Sequence, residues 1–127
     1  MMIVLTFCLR RLPHLEPAEF RRYWLESHGP LVRSHLKAIR AVRYMQLHAL
    51  QDPVGDAVAQ IRGAPTPYDG IAQMWWASRA DLDASMQAPE ARAAGRAMLE
   101  DERRFIDLPR SPIWINTLYD YPAPAAD

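Results

Sequence analysis

The run DGIAQMWWA, residues 69–77, constrains the fold more than any other stretch of the chain. As a strand it alternates Ile71, Gln73 and Trp75 on one face with Ala72, Met74 and Trp76 on the other. Large apolar groups then stand on both faces beside the paired tryptophans. Helices of the same chain can cover one side of such a sheet, but a bare second side is an exposed patch that calls for a partner. Two sheets packed face to face about a two-fold axis meet that need, so a homodimer is expected.

The rest of the chain supplies the other elements. Residues 2–10, rich in Ile3, Val4, Leu5, Thr6 and Phe7, predict a first strand. Pro17 suits a helix N-terminus, and Glu19 complements the dipole there. Phe20, Trp24 and Leu31 share one face of this helix, with Tyr23 beside them. Gly29-Pro30 predicts a kink or break, with helix resuming from Leu31 to about Ala38. Residues 40–49 read as a second strand in which Val42, Tyr44, Gln46 and His48 share a face. Residues 50–68 hold three prolines and two glycines and predict a long loop with a short helix near Val58. Ser78 and Asp81 form a capping pair for a short helix through Met86. Pro89 opens a longer helix with the stripe Ala91, Ala94, Met98, Glu102 and Phe105. Arg96, Glu100 and Arg104 are spaced for exposed i,i+4 pairs. A last strand runs from Ile113 to Tyr119. The order β-α-β-β-(α)-α-β is the split βαβ pattern: an α+β, ferredoxin-like fold whose four-stranded antiparallel sheet carries its helices on one face. Residues 1–120 make one domain, and residues 121–127 an extended or disordered tail.

Charge and composition narrow the functions. With 127 residues, half of them hydrophobic, the chain can bury one core. Fifteen basic residues balance fifteen acidic ones, which argues against nucleic acid as a partner. Cys8 is the single cysteine, so an internal disulfide or Cys-rich metal site is excluded, and its apolar surroundings predict an inert thiol. No apolar stretch is long enough to span a bilayer. In MMIVLTFCLRR the charges follow the apolar run, unlike a signal peptide. A soluble, cytoplasmic protein is expected. There is no HExxH, phosphate-binding glycine loop, G-x-S-x-G or dinucleotide fingerprint, so neither a metal nor a cofactor is expected.

Among the histidines, His14 reads as solvated, and His35 is explained by the helix C-terminal dipole. His28 continues the apolar face of Phe20 and Trp24 at the Gly-Pro interruption. It is either a general acid or base working near neutral pH, or a buried histidine bonded to a carbonyl freed by Pro30. His48 is a second candidate on the face of Tyr44 and Gln46, or else a solvated strand end. Asp69 either orients an imidazole or caps the turn with Gly70. Of Trp75 and Trp76, one at least packs in the core or a dimer face, and the other is a candidate aromatic wall for a ligand. The run EDERR reads as a solvated face, apart from Glu102 on the apolar stripe.

FCLRRLPHLEPAEFRRYWLESHGPLV resembles the opening of the EthD family, with its Arg-Leu-Pro turn, Phe-x-x-Tyr-Trp helix and His-x-Pro-Leu-Val interruption. PYDGIAQMWWAS and EARAAGRAMLEDERRFIDLPRSPIW match later parts of the same pattern, so the resemblance spans about Leu5 to Trp114. It implies a dimeric α+β barrel. The family's namesake accompanies bacterial degradation of fuel ethers in an auxiliary capacity. Related fungal proteins are similar to decarboxylases of aromatic polyketide acids, and the wider superfamily includes cyclases, lactone isomerases and monooxygenases. The resemblance carries the helix histidine onto His28 and the acid of the Asp-Gly strand start onto Asp69. Many relatives have an acid where this chain has Gln73, a departure that favours His28 with a neutral hydrogen-bonding partner.

These readings converge on a cofactor-independent lyase or cyclase acting on a small aromatic or polyketide-like acid. His28 and Asp69 are its expected catalytic residues, with Tyr23, Trp24, Tyr44, His48, Gln73, Trp75 and Phe105 around the substrate. Two alternatives stand beside it: a non-catalytic binder of a hydrophobic metabolite in a degradation pathway, and a cofactor-free monooxygenase.

Overall fold

The alternating segments assemble into one four-stranded antiparallel sheet in the order β2-β3-β1-β4. The computed structural model describes residues 1–126. Its strands are β1 (Ile3–Leu9), β2 (Arg43–His48), β3 (Gly70–Trp76) and β4 (Ile113–Thr117). Its helices are α1 (Pro17–Tyr23), α2 (Gly29–His35), α3 (Pro53–Ile61), α4 (Arg79–Gln87) and α5 (Pro89–Glu102). This is the α+β, ferredoxin-like fold. Residues 121–126 form no helix or strand, and Asp127, the end of the expected tail, lies outside the described residues.

Register divides the side chains between two faces. Leu5 lies opposite Met74 and Ile115, and Phe7 opposite Ala72 and Ile113, so these face the helices together with Leu9 and Trp76. Thr6 lies opposite Gln73 and Trp114, Met45 opposite Gln73, and Leu47 opposite Ile71. These, with Arg43 and Trp75, form the outer face, on which Leu47 and Trp114 stand exposed.

Gly29-Pro30 does not break its helix. Residues Trp24–His28 form a π turn in which the Gly29 N–H donates to the Trp24 carbonyl, five residues back instead of four, and the flanking residues keep right-handed helical angles. Proline has no N–H to give, and the widened turn carries its ring past the carbonyl it would strike in a regular helix. Without a β-carbon at Gly29, the Gln46 amide approaches closely enough to donate to the same Trp24 carbonyl at 3.0 Å. Helix α2 then ends at His35, short of the expected Ala38. Arg40 takes a left-handed conformation, φ 59°, and the Ala41 N–H closes on the Leu36 carbonyl. The expected loop after β2 contains the nine-residue α3, capped by Asp52, whose carboxylate accepts from the Val54 N–H at 2.8 Å. None of its residues is buried.

Two clusters make the core. Phe7, Leu9, Phe20, Trp24, Phe105 and Ile106 pack at one end of the sheet, and Ile39, Trp76, Leu82, Ala91 and Ala94 at the other. The Trp24 indole lies directly on Gly70, where a β-carbon would overlap its six-membered ring and sit 2.9 Å from the Leu47 carbonyl oxygen. Neither neighbour can yield, since the indole is 1% exposed and the carbonyl belongs to β2. Gly70→Ala should therefore cost about 1–3 kcal/mol in urea denaturation, as overpacked cores do.

Candidate active site

Between the two clusters the core stays open. A cavity of about 570 Å³ lies between the sheet and α2, α4 and α5, walled by apolar groups such as Leu5, Phe7, Val32, Met74, Trp76 and Met98. That volume suits a small organic molecule, and its few polar groups stand out against the apolar wall. They include His28, Tyr44 and Glu102, with Arg92 and Arg96 from the outer side of α5.

His28 comes from the π turn and is 4% exposed. Its Nδ1 lies 2.7 Å from Asp101 Oδ2, and the Tyr23 hydroxyl donates to the other oxygen of the same carboxylate. Phe105 packs against the imidazole at 4.9 Å between ring centroids. Burial holds the His28 pKa below its ordinary value even though the bond and charge of Asp101 pull it upward. The neutral ring therefore carries its proton on Nδ1, donated to Asp101, and leaves Nε2 as an acceptor. Among the described residues no fully buried side-chain N or O lacks a partner, and Nε2 has none, so it keeps access to solvent on the side where His28 walls the cavity.

Glu102 follows Asp101 and faces the cavity without a hydrogen-bond donor. Burial first, then the Asp101 charge, push its carboxyl up to about 7, with Arg103 opposing. Three acids in the last turn of α5, Glu100, Asp101 and Glu102, also oppose the helix dipole, which favours cations there. The third polar wall is Tyr44. Gln46 donates one amide proton to the Trp24 carbonyl and another, at 2.8 Å, to the Tyr44 hydroxyl. Its oxygen therefore faces His48 Nε2, 2.7 Å away, which must carry the proton. Having accepted from Gln46, the Tyr44 hydroxyl has its own proton to give. An acceptor imidazole, a carboxyl neutral up to about pH 7 and a phenol donor thus share one apolar cavity.

Several residues singled out from sequence lie elsewhere. Asp69 does not orient His28: its carboxylate accepts from the Arg11 N–H at 2.8 Å and from the Arg11 guanidinium at 3.2 Å, tying the end of β1 to the start of β3. Trp75 points to the outer face, where Arg43 stacks on it at 5.1 Å, so it is no wall of the cavity; Trp76 is. Gln73 borders the cavity, but its side-chain oxygen accepts from Trp75 Nε1 at 3.2 Å. Tyr23 and Phe105 stand behind His28, and His48 stacks on Trp24 at 4.1 Å outside the cavity. The expected neutral partner of His28 is a carboxylate. Asp101 was missed because it sits in a charged run, although it follows Ala94 and Met98 at helical spacing (i+7 and i+3) on the buried stripe. Arg104 pairs with Asp101 at 3.8 Å, and the expected Arg96–Glu100 pair is not formed.

The family model of the EthD domain matches residues 12–109. The chain belongs to the EthD family. An EthD family protein of Bacillus halodurans is similar in structure, with 18% identity over 94% of this chain and 100% of that one, and a TM-score of 0.61. An EthD-like protein of Ralstonia eutropha is 16% identical over 91% and 89% of the two chains, with a TM-score of 0.56. A dimeric protein of unknown function with a ferredoxin-like fold, from Bacteroides fragilis, is 8% identical over 92% and 96%, with a TM-score of 0.57. At these identities the likeness is one of fold. Among curated proteins the chain has no match. Among the described residues of this EthD domain no cluster of His, Cys, Asp or Glu is arranged to hold a metal ion, and no helix is long and apolar enough to cross a membrane.

The raised Glu102 pKa makes a stability prediction. Between pH 4.5 and about 7 the folded domain holds a proton that the unfolded chain has released, so stability falls as pH rises through that window. Urea denaturation should find Glu102→Gln more stable than wild type at pH 8, by at most roughly 3 kcal/mol, with the advantage gone at pH 4.

Proposed function

We propose that this EthD domain is a cofactor-independent lyase, of the decarboxylase or cyclase type, acting on a small aromatic or polyketide-like acid. The observation that carries the reading is a neutral His28, oriented by Asp101, and Glu102 on the wall of one apolar cavity. Nε2 of His28 is the base for a proton on an enolisable carbon of the ligand. The electron pair of that C–H bond moves into the adjacent carbonyl, and the Tyr44 hydroxyl donates to the oxygen as charge develops on it. Where a hydroxyl then leaves, Glu102 supplies its proton, the C–O bond breaks and water departs. His28 passes the proton it took back to the Glu102 carboxylate through solvent. Where carbon dioxide leaves instead, the C–C bond breaks and its electron pair passes into the same carbonyl, then returns to the carbon as Glu102 protonates it, and a proton from solvent restores Glu102.

The outer face of the sheet supports a homodimer. Met45, Leu47, Ile71, Trp75 and Trp114 form an apolar surface across all of β2, β3 and β4, with Leu47 44% and Trp114 47% exposed. Covering it with a second copy buries both tryptophans, and the similar Bacteroides fragilis protein is itself dimeric.

Wild type incubated with aromatic and β-keto acids should yield products lighter by carbon dioxide or water in mass spectrometry. His28→Ala should lose about 10²–10⁴-fold in rate while keeping its circular dichroism. The kcat/KM should fall above about pH 7 as Glu102 ionises, and also on the acid side, below the ordinary histidine value, as His28 gains a proton. In Glu102→Gln the alkaline limb should vanish. Acids recovered unchanged, or carrying added oxygen, would refute the lyase reading. Sedimentation should give a dimer for wild type and a monomer for Leu47→Asp; a wild-type monomer at micromolar concentrations would refute the dimer.

A further inference from the structure

Arg92 and Arg96 are not used by the chemistry above. They lie one turn apart on α5, both line the cavity, and neither makes a hydrogen bond or ion pair among the described residues. Arg96 leaves Glu100 unpaired although the two are spaced for a bond along the helix. Elsewhere on the cavity wall the acidic group is Glu102, which is neutral for much of the range below pH 7. The mouth of the cavity thus carries two solvent-exposed guanidinium groups with no carboxylate partner, beside an apolar wall, and arginine so placed can bind carboxylate or sulfonate through paired N–H donors.

Gly95, between the arginines, also lines the cavity. A glycine inside a helix costs about 0.5–1 kcal/mol relative to alanine. No neighbouring atom lies within 4 Å of where its β-carbon would be, so nothing in the protein requires glycine there. The open space belongs to the cavity, and it adjoins the two cationic side chains.

Distance along α5 separates this cationic wall from the reacting groups. Arg96 and Arg92 precede Glu102 by six and ten residues, about 9 and 15 Å along the axis at roughly 1.5 Å per residue. All three side chains lean toward the helix N-terminus, which preserves that separation.

We infer that Arg92 and Arg96 hold an anionic group of the ligand, remote from the carbon that faces His28 and Glu102. The ligand is then an elongated apolar anion, such as a fused-ring carboxylate, and the group held by the arginines is a handle; a decarboxylation would take a second carboxyl, at the carbon that faces His28 and Glu102. This rests on the cavity being the ligand site, as proposed above, but not on turnover.

Anilinonaphthalene sulfonate and its uncharged analogue phenylnaphthylamine share one aromatic body and differ in the anion, and both report binding by fluorescence. Titrated into the full chain, the sulfonate should bind wild type about tenfold more tightly than the neutral probe. The double variant Arg92→Gln, Arg96→Gln should lose about tenfold for the sulfonate and less than about twofold for the neutral probe. Gly95→Leu, which fills the space beside the arginines, should weaken both. Three results would overturn the inference: no sulfonate binding to wild type, equal losses for the two probes in a double variant with wild-type circular dichroism, or sulfonate binding untouched by Gly95→Leu. Arginine-dependent binding without turnover of any acid keeps this inference and removes the lyase reading, whereas turnover without arginine dependence does the reverse.

Discussion

The bond from the Gly29 N–H to the Trp24 carbonyl sets the rest of the molecule in place. Pro30 cannot donate, and the widened turn before it keeps the helix continuous where a regular one would be broken. Trp24 and His28 open and close that turn and are both buried, one over Gly70 and one against Phe105. The Trp24 carbonyl takes a second donor from Gln46, and through Gln46 the turn reaches Tyr44 and His48 on β2. A local conflict over one missing N–H therefore becomes the joint between helix, sheet and cavity.

The charges at the end of α5 follow a different logic. Helix C-termini favour cations, yet Asp101 and Glu102 end this one. Asp101 accepts from the Tyr23 hydroxyl and from His28. Glu102 has no donor and lies in the apolar wall, so burial and its neighbour's charge favour the proton instead. Only the carboxyl without donors is driven toward its neutral form, an arrangement that costs stability above neutral pH.

Much of the fold was legible from pattern. The four strands, the Ser78 cap on α4, the proline openings of α1 and α5 and the two-sided character of β3 all follow from spacing along the chain. The site was legible only at single residues. His28 stood out because it continues the face of Phe20 and Trp24, and Tyr44 because alternation turns it toward the helices. Asp69 misled because an Asp-Gly strand start suits either an orienting acid or a structural tie, and the Arg11 guanidinium that decides between them is distant in sequence. Trp75 and Trp76 are adjacent, and which of them turns inward depends on the register with β1 and on what packs against each face.

By itself the sequence determined the α+β class, the sheet's two apolar faces and the place of His28 on the apolar face of its helix, because these depend on periodicity and on residues near each other along the chain. Only the tertiary structure decided which carboxylate meets that histidine. Asp101 lies 73 residues from His28, and the two come together because α5 packs against the π turn, while Asp69 is drawn off by the end of β1. A hydrogen bond depends on position in space to within a few tenths of an ångström, whereas a sequence pattern gives only the face of an element.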